Sequence, residues 1–140
     1  MENHTHVLIE DTFPSDRAVL SGLPKRLEEG REQCGMSDEQ FHNLVVVLTE
    51  AVANAINHGN QADASKNVRL HVECRDEGIL CVVEDQGEGF NPDEVADPIA
   101  PENLLSDGGR GLFIIRALTS YLNVERTSDG TRVEFLCARS

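Results

Sequence analysis

The apolar residues of this chain change their period once, near Gly59, and that change limits the possible folds more than any other feature. From Ser15 to Asn57 they recur at helical spacing, and from Asn67 onward they alternate or run together as strands do. One strand precedes the helices: His6-Val7-Leu8-Ile9-Glu10-Asp11-Thr12-Phe13 carries β-branched residues and ends at Pro14, which has no amide to give a ladder. Ser15-Asp16 caps a helix to about Cys34, stopped by Gly35. Ser37-Asp38-Glu39-Gln40 reads as a capping box, in which Ser37 and Gln40 serve each other's backbone N–H, and opens a long helix to about Asn57.

Past Gly59, Val68, Leu70, Val72 and Cys74 alternate with polar residues, Glu77-Gly78 makes a turn, and Ile79 to Val83 is a continuous apolar strand. Tyr121–Glu125 and Thr131–Leu136 add two strands joined through Ser128-Asp129-Gly130. Helices gathered early and strands late predict an α+β fold: a two-layer sandwich with helices packed on one face of a mainly antiparallel sheet. With 140 residues there is room for one core and one domain.

Charge narrows the function. Lys+Arg 12 against Asp+Glu 25 gives a net charge of -13, and the only adjacent cations are Lys25 and Arg26. A phosphate-backbone binder needs clustered cations, so neither nucleic acid nor an anionic membrane is an expected partner. The start, Met1-Glu2-Asn3-His4-Thr5-His6, has no basic stretch leading into an apolar one, and no apolar run approaches the roughly 20 residues that span a bilayer, so a cytoplasmic location is expected. The cysteines, Cys34, Cys74, Cys81 and Cys137, form no CxxC pair and read as buried reduced thiols.

The long helix has two specialised sides. At about 100° per residue, Glu50, Asn54 and Asn57 fall within roughly 60° of one another, with Asn43 on the same stripe. Phe41, Val45, Leu48, Val52 and Ile56 lie opposite and are expected to face the core. A merely solvated face would carry Lys, Glu, Arg and Gln; this one has Val46, Val47 and Ala53 flanking a single carboxylate. Asn costs around 0.5 kcal/mol relative to Ala in a helix, so Asn54 and Asn57 point to a site. A carboxamide oxygen suits Mg²⁺, and a Glu one turn away can take a proton from a hydroxyl attacking a phosphoryl group.

Two glycine clusters follow. Asp85-Gln86-Gly87-Glu88-Gly89 stands where the apolar strand ends: its glycines let a flat ring approach the backbone, and Asp85 can accept from an exocyclic amine. Gly108-Gly109-Arg110-Gly111-Leu112 opens a helix expected from Leu112 to about Thr119, whose free N–H groups form an anion cradle. Between them lies a segment without Lys or Arg that holds Pro92, Pro98 and Pro101 and reads as a lid over about 86–110. Thr131, after Gly130, can turn its hydroxyl toward a ligand.

In order, Glu50-x3-Asn54-x3-His58-Gly59, Asp85-x-Gly87-x-Gly89, Gly109-x-Gly111-Leu112 and Gly130-Thr131 resemble the GHKL ATP-binding superfamily. Within it, Thr49 to Gly59 is similar to the N box of anti-sigma-factor serine/threonine kinases of the RsbW and SpoIIAB type. The resemblance implies a Bergerat ATP-binding fold with ATP and Mg²⁺ as cofactors. By matching position, Glu50 is the catalytic base, Asn54 holds the metal, Asp85 holds the adenine amino group, and Gly87 and Gly89 line the adenine pocket. Gly109 and Gly111 meet the phosphates beside Leu112, Thr131 lies near the base, and Asn57 joins the nucleotide-binding stripe. Arg110 and His58 are the side-chain cations available to the triphosphate. The implied activity is phosphorylation of an antagonist protein by a regulator that can also hold a sigma factor, and family analogy implies a homodimer. A nucleotide-gated module that sequesters its partner without phosphotransfer is the rival reading, and a regulatory domain normally fused to a phosphatase or receiver is a third.

Overall fold

The computed structural model describes residues 5–60, 63–87, 109–126 and 130–138, without the side chains of 58–59 and 109–113. Strand β1 (His6–Pro14) leads into helices α1 (Ala18–Cys34) and α2 (Asp38–Asn54), and a π-helical turn (Ala55–Gly59) extends α2. There follow β2 (Asn67–Arg75), β3 (Gly78–Glu84), helix α3 (Gly109–Leu118), β4 (Tyr121–Arg126) and β5 (Thr131–Ala138). The strands form one sheet in the order β1-β2-β3-β5-β4, every neighbouring pair antiparallel. This is the α+β two-layer sandwich that the sequence predicts. No helix among the described residues is long and apolar enough to cross a membrane.

Register explains which residues make the core. Ile9, Val72, Cys81 and Phe135 sit side by side across β1, β2, β3 and β5, and all four are buried beneath the helices. The other face is polar and ties itself together: Glu10 bonds Arg69 and His71, His71 also bonds Glu73, and Arg132 bonds Glu134. Those long side chains cover Leu80 and Val82, each 8% exposed on that face.

The helix signals are partly realised. Gly35 ends α1 with φ 64°, a left-handed cap. The Gln40 amide donates to Ser37 Oγ at 3.1 Å, but the Gln40 side chain leaves the expected box and donates to the Ala138 carbonyl at 3.2 Å, tying α2 to the end of β5. The buried arc of α2 is also wider than expected, running through Leu44, Val47, Ala51 and Ala55 as well as Leu48, Val52 and Ile56. Val47 therefore belongs to the core instead of flanking the polar stripe, because α1 and α3 pack on α2 in addition to the sheet. α3 starts at Gly109, three residues before the expected Leu112.

One expectation about cysteine is corrected. Cys34 and Cys74 form a disulfide with Cα atoms 5.7 Å apart, pinning the end of α1 to β2. The sequence predicts separate thiols here, because two cysteines 40 positions apart carry no local pairing signal. Cys81 and Cys137 are buried free thiols; burial pushes Cys137 to about 12 and Cys81 upward, so both are chemically quiet.

Candidate nucleotide site

The best-defined part of the site lies where β3 ends and β5 begins. Asp85 directly follows β3, and its amide donates to the Thr131 carbonyl at 3.0 Å, prolonging the ladder by one step. The Asp85 carboxylate turns back into the turn: Oδ1 accepts from the Gly87 amide at 3.0 Å and from the Thr131 amide at 3.1 Å. Both bonds land on one oxygen, Oδ1. Burial raises the Asp85 pKa above its ordinary value, and the two amides, Arg126 and Lys66 pull it back only in part.

Gly130 makes this closeness possible. A Cβ built there would stand 2.1 Å from the Asp85 carbonyl oxygen, with φ at 155°, so the Gly-Thr pair is needed for β5 to start against Asp85. Arg126, the last residue of β4, pairs with Thr131, and its charge couples to Asp85 while burial lowers its own pKa. Arg126 and Lys66 thus stand as cations near Asp85, and the sequence motifs mark neither of them. Arg126 reaches Asp85 only through the β4–β5 pairing, so no linear spacing announces it.

The helical half is carried by α2. Glu50, Asn54 and Asn57 are all partly buried, neither in the core nor fully in solvent. Asn54 Nδ2 is buried without a hydrogen-bond partner among the described residues. Such an orphan costs about 1 to 3 kcal/mol, and a carboxamide can present either its nitrogen or its oxygen by a half turn. Its position therefore fits a group that completes it from outside the chain, and its oxygen is of the hard type that Mg²⁺ accepts. Beyond Asn54 the backbone widens into the π turn, closed by the Asn60 amide on the Ala55 carbonyl at 2.9 Å, so Asn57 no longer follows the 3.6-residue stripe.

The remaining sites are less defined. Gly109, Arg110, Gly111 and Leu112 form the first turn of α3 instead of a loop before it, which places free backbone N–H groups at the helix start. α3 packs along α2. The side chains of His58, Arg110 and Leu112, Gly89, and nearly all of the lid expected over 86–110 lie outside the described residues.

Comparison with known proteins agrees with this geometry. The family described as the histidine kinase-like ATPase domain matches residues 13–136. A serine-protein kinase RsbW from Bacillus licheniformis is 28% identical over 140 residues, covering 84% of this chain and 83% of its own. One from Oceanobacillus iheyensis is 31% identical over 108 residues, covering 73% of this chain and 64% of its own. Among solved structures, the RsbU and RsbW domains of a Mycobacterium tuberculosis protein superpose with a TM-score of 0.65 at 19% identity over 94% of this chain. The blue-light activated histidine kinase of Erythrobacter litoralis EL346 gives 0.55 at 24% over 74%. At these identities the two structures establish the fold, and this chain spans 32% of the length of each.

Proposed function

The chain belongs to the histidine kinase-like ATPase domain family, and from that premise we propose that it is an ATP-dependent protein serine/threonine kinase that regulates a partner protein. The observation that carries the reading is Asp85, a half-buried carboxylate whose Oδ1 is fixed by the Gly87 and Thr131 amides; its other oxygen, Oδ2, is the one that meets the ligand. That oxygen accepts from the adenine amino group, while Gly87 and Gly89 let the ring lie against the backbone. The amides at the start of α3, Gly109 to Leu112, meet the phosphates, and Arg110 and His58 are the side-chain cations that the motifs offer to them. Asn54 would hold Mg²⁺, which when bound neutralises charge on the triphosphate, and Asn57 joins the nucleotide site from the π turn that follows it.

Glu50 acts on the second substrate. It accepts the proton of a partner's serine or threonine hydroxyl as that oxygen bonds to the γ-phosphorus and the bond to the β-phosphate oxygen breaks, leaving ADP. Sequence similarity to serine-protein kinases supports this transfer. The phosphorylated partner is an antagonist protein in the cytoplasm, and the regulator also holds a sigma factor inactive until a partner switch releases it. The whole chain acts as one ATP-binding domain, with 86–110 as its lid; the chain pairs as a homodimer.

Incubation with labelled ATP and the antagonist encoded beside it tests this. A phosphoprotein that disappears with Glu50→Gln supports kinase action; partner capture without any phosphoprotein, unaltered in Glu50→Gln, would replace it with a nucleotide-gated binding module.

A further inference from the structure

We propose that Asn60 is a positioning residue that latches the end of the α2 helix to the adenine turn; the functional half of this inference rests on Asp85 being the adenine-binding carboxylate. Asn60 is fully buried, at 0% exposure, yet it stands on a connection outside every helix and strand. A buried polar side chain is tolerated only when it is satisfied, and this one is satisfied in three directions. Its Nδ2 donates to Ser15 Oγ at 2.7 Å and to the Asn67 carbonyl at 2.9 Å, and its Oδ1 accepts from the Gln86 amide at 2.7 Å. Its own amide closes the π turn that follows Asn54.

These bonds join parts of the chain with little else in common. Ser15, which also donates to the Lys66 carbonyl at 2.8 Å, lies between β1 and α1; Asn67 begins β2; Gln86 lies between Asp85 and Gly87. The Gln86 side chain answers by accepting from the Asn67 amide at 2.7 Å, so the turn is held twice. Gln86 cannot shift without moving the two neighbours on which the Asp85 carboxylate geometry depends. Any displacement of the π turn is thereby transmitted to Asp85, and the helical and adenine halves of the site move as one body. An aliphatic residue would fill the same space but would leave the Gln86 amide and the Asn67 carbonyl without this partner.

The test compares Mg-ATP affinity at low temperature, where all variants are folded, for wild type, Asn60→Ser, Ser15→Ala and Leu23→Ala. The last removes a fully buried side chain of α1 and serves as a control for lost stability alone. The latch predicts that Asn60→Ser weakens Mg-ATP by about tenfold, within the range of coupling between contacting residues. Ser15→Ala weakens it less, Leu23→Ala leaves it unchanged, and Asn60→Ser adds little in an Asp85→Asn background. Wild-type affinity in Asn60→Ser, or a full additive loss on top of Asp85→Asn, overturns the proposal. Should Asn60→Ser not fold, Ser15→Ala decides alone, an unchanged affinity overturning the latch. Should wild type bind no ATP, the functional reading fails by itself, and amide exchange then judges the latch: faster exchange at Gln86 and Gly87 in Asn60→Ser supports it, unchanged exchange overturns it.

Discussion

Asp85 and Thr131 hold each other twice: the Asp85 amide donates to the Thr131 carbonyl at 3.0 Å, and the Thr131 amide donates to Asp85 Oδ1 at 3.1 Å. The carboxylate is therefore aimed by backbone before any ligand arrives, and ordering it on binding costs little. A charge-assisted hydrogen bond contributes about 1.5 to 3 kcal/mol, so Asp85→Asn should weaken ATP by roughly 10- to 150-fold with little loss of fold. Because burial raises its pKa, Asp85 takes up a proton at a higher pH than an exposed aspartate, and affinity should begin to fall earlier as the solution is acidified. Calorimetric titration from pH 7.5 down to pH 4.5 checks both.

Gly130→Ala should damage the same contact from the other side. The added methyl would stand 2.1 Å from the Asp85 carbonyl oxygen, which is backbone, and 3.2 Å from Oδ1, which the Gly87 and Thr131 amides hold. A melt showing a loss of about 1 to 3 kcal/mol, with ATP affinity falling alongside it, is the expected outcome.

Asn54→Ala and Glu50→Gln should separate binding from chemistry. Asn54→Ala removes a buried amide nitrogen that has no partner among the described residues, so the fold should be unharmed or slightly stabilised while Mg²⁺-dependent ATP binding drops. Glu50→Gln should keep ATP affinity within about threefold and lower phosphotransfer by about 10²- to 10⁴-fold. A melt, a titration and a labelled-ATP assay on each variant resolve the pair.

His71 gives the outer sheet face a pH dependence. Partial burial alone would lower its pKa, but hydrogen bonds to Glu10 and Glu73 outweigh that and raise it above 6.5. A raised folded-state pKa means that stabilisation is fully present below pH 6.5 and is lost as the pH climbs through the folded value. Wild type should therefore lose up to about 2 to 4 °C of Tm between pH 6 and pH 8.5 relative to His71→Gln. Paired thermal melts at the two pH values measure it.

Reduction should act on the Cys34–Cys74 link. A loop closed across a separation of 40 residues is worth about 4 kcal/mol in the chain-entropy account. Denaturant melts with and without dithiothreitol should differ by 2 to 4 kcal/mol on the same scale, and Cys34→Ser should abolish the difference.

How far the sequence discloses this molecule depends on the range of each interaction. The strands, the Gly35 cap, and the Glu50, Asn54 and Asp85 positions follow from period, turn chemistry and short motifs, all local. Arg126, Lys66 and Asn60 were invisible because their importance arises only when β4 pairs with β5 and when the residue after the π turn meets Gln86, 26 positions later. Val47 departs from its expected place for a related reason: helical periodicity defines one buried side, whereas α2 is also covered laterally by α1 and α3. The Cys34–Cys74 pairing, likewise, exists only once folding brings the end of α1 to β2.

The most direct test of a nucleotide held between α2 and the Asp85 turn is a calorimetric titration of Mg-ATP into wild type, Asp85→Asn and Asn54→Ala. One saturable site in wild type, weakened tenfold or more in each variant, is the predicted result. Absence of binding in wild type, or equal affinity in all three proteins, would contradict the account.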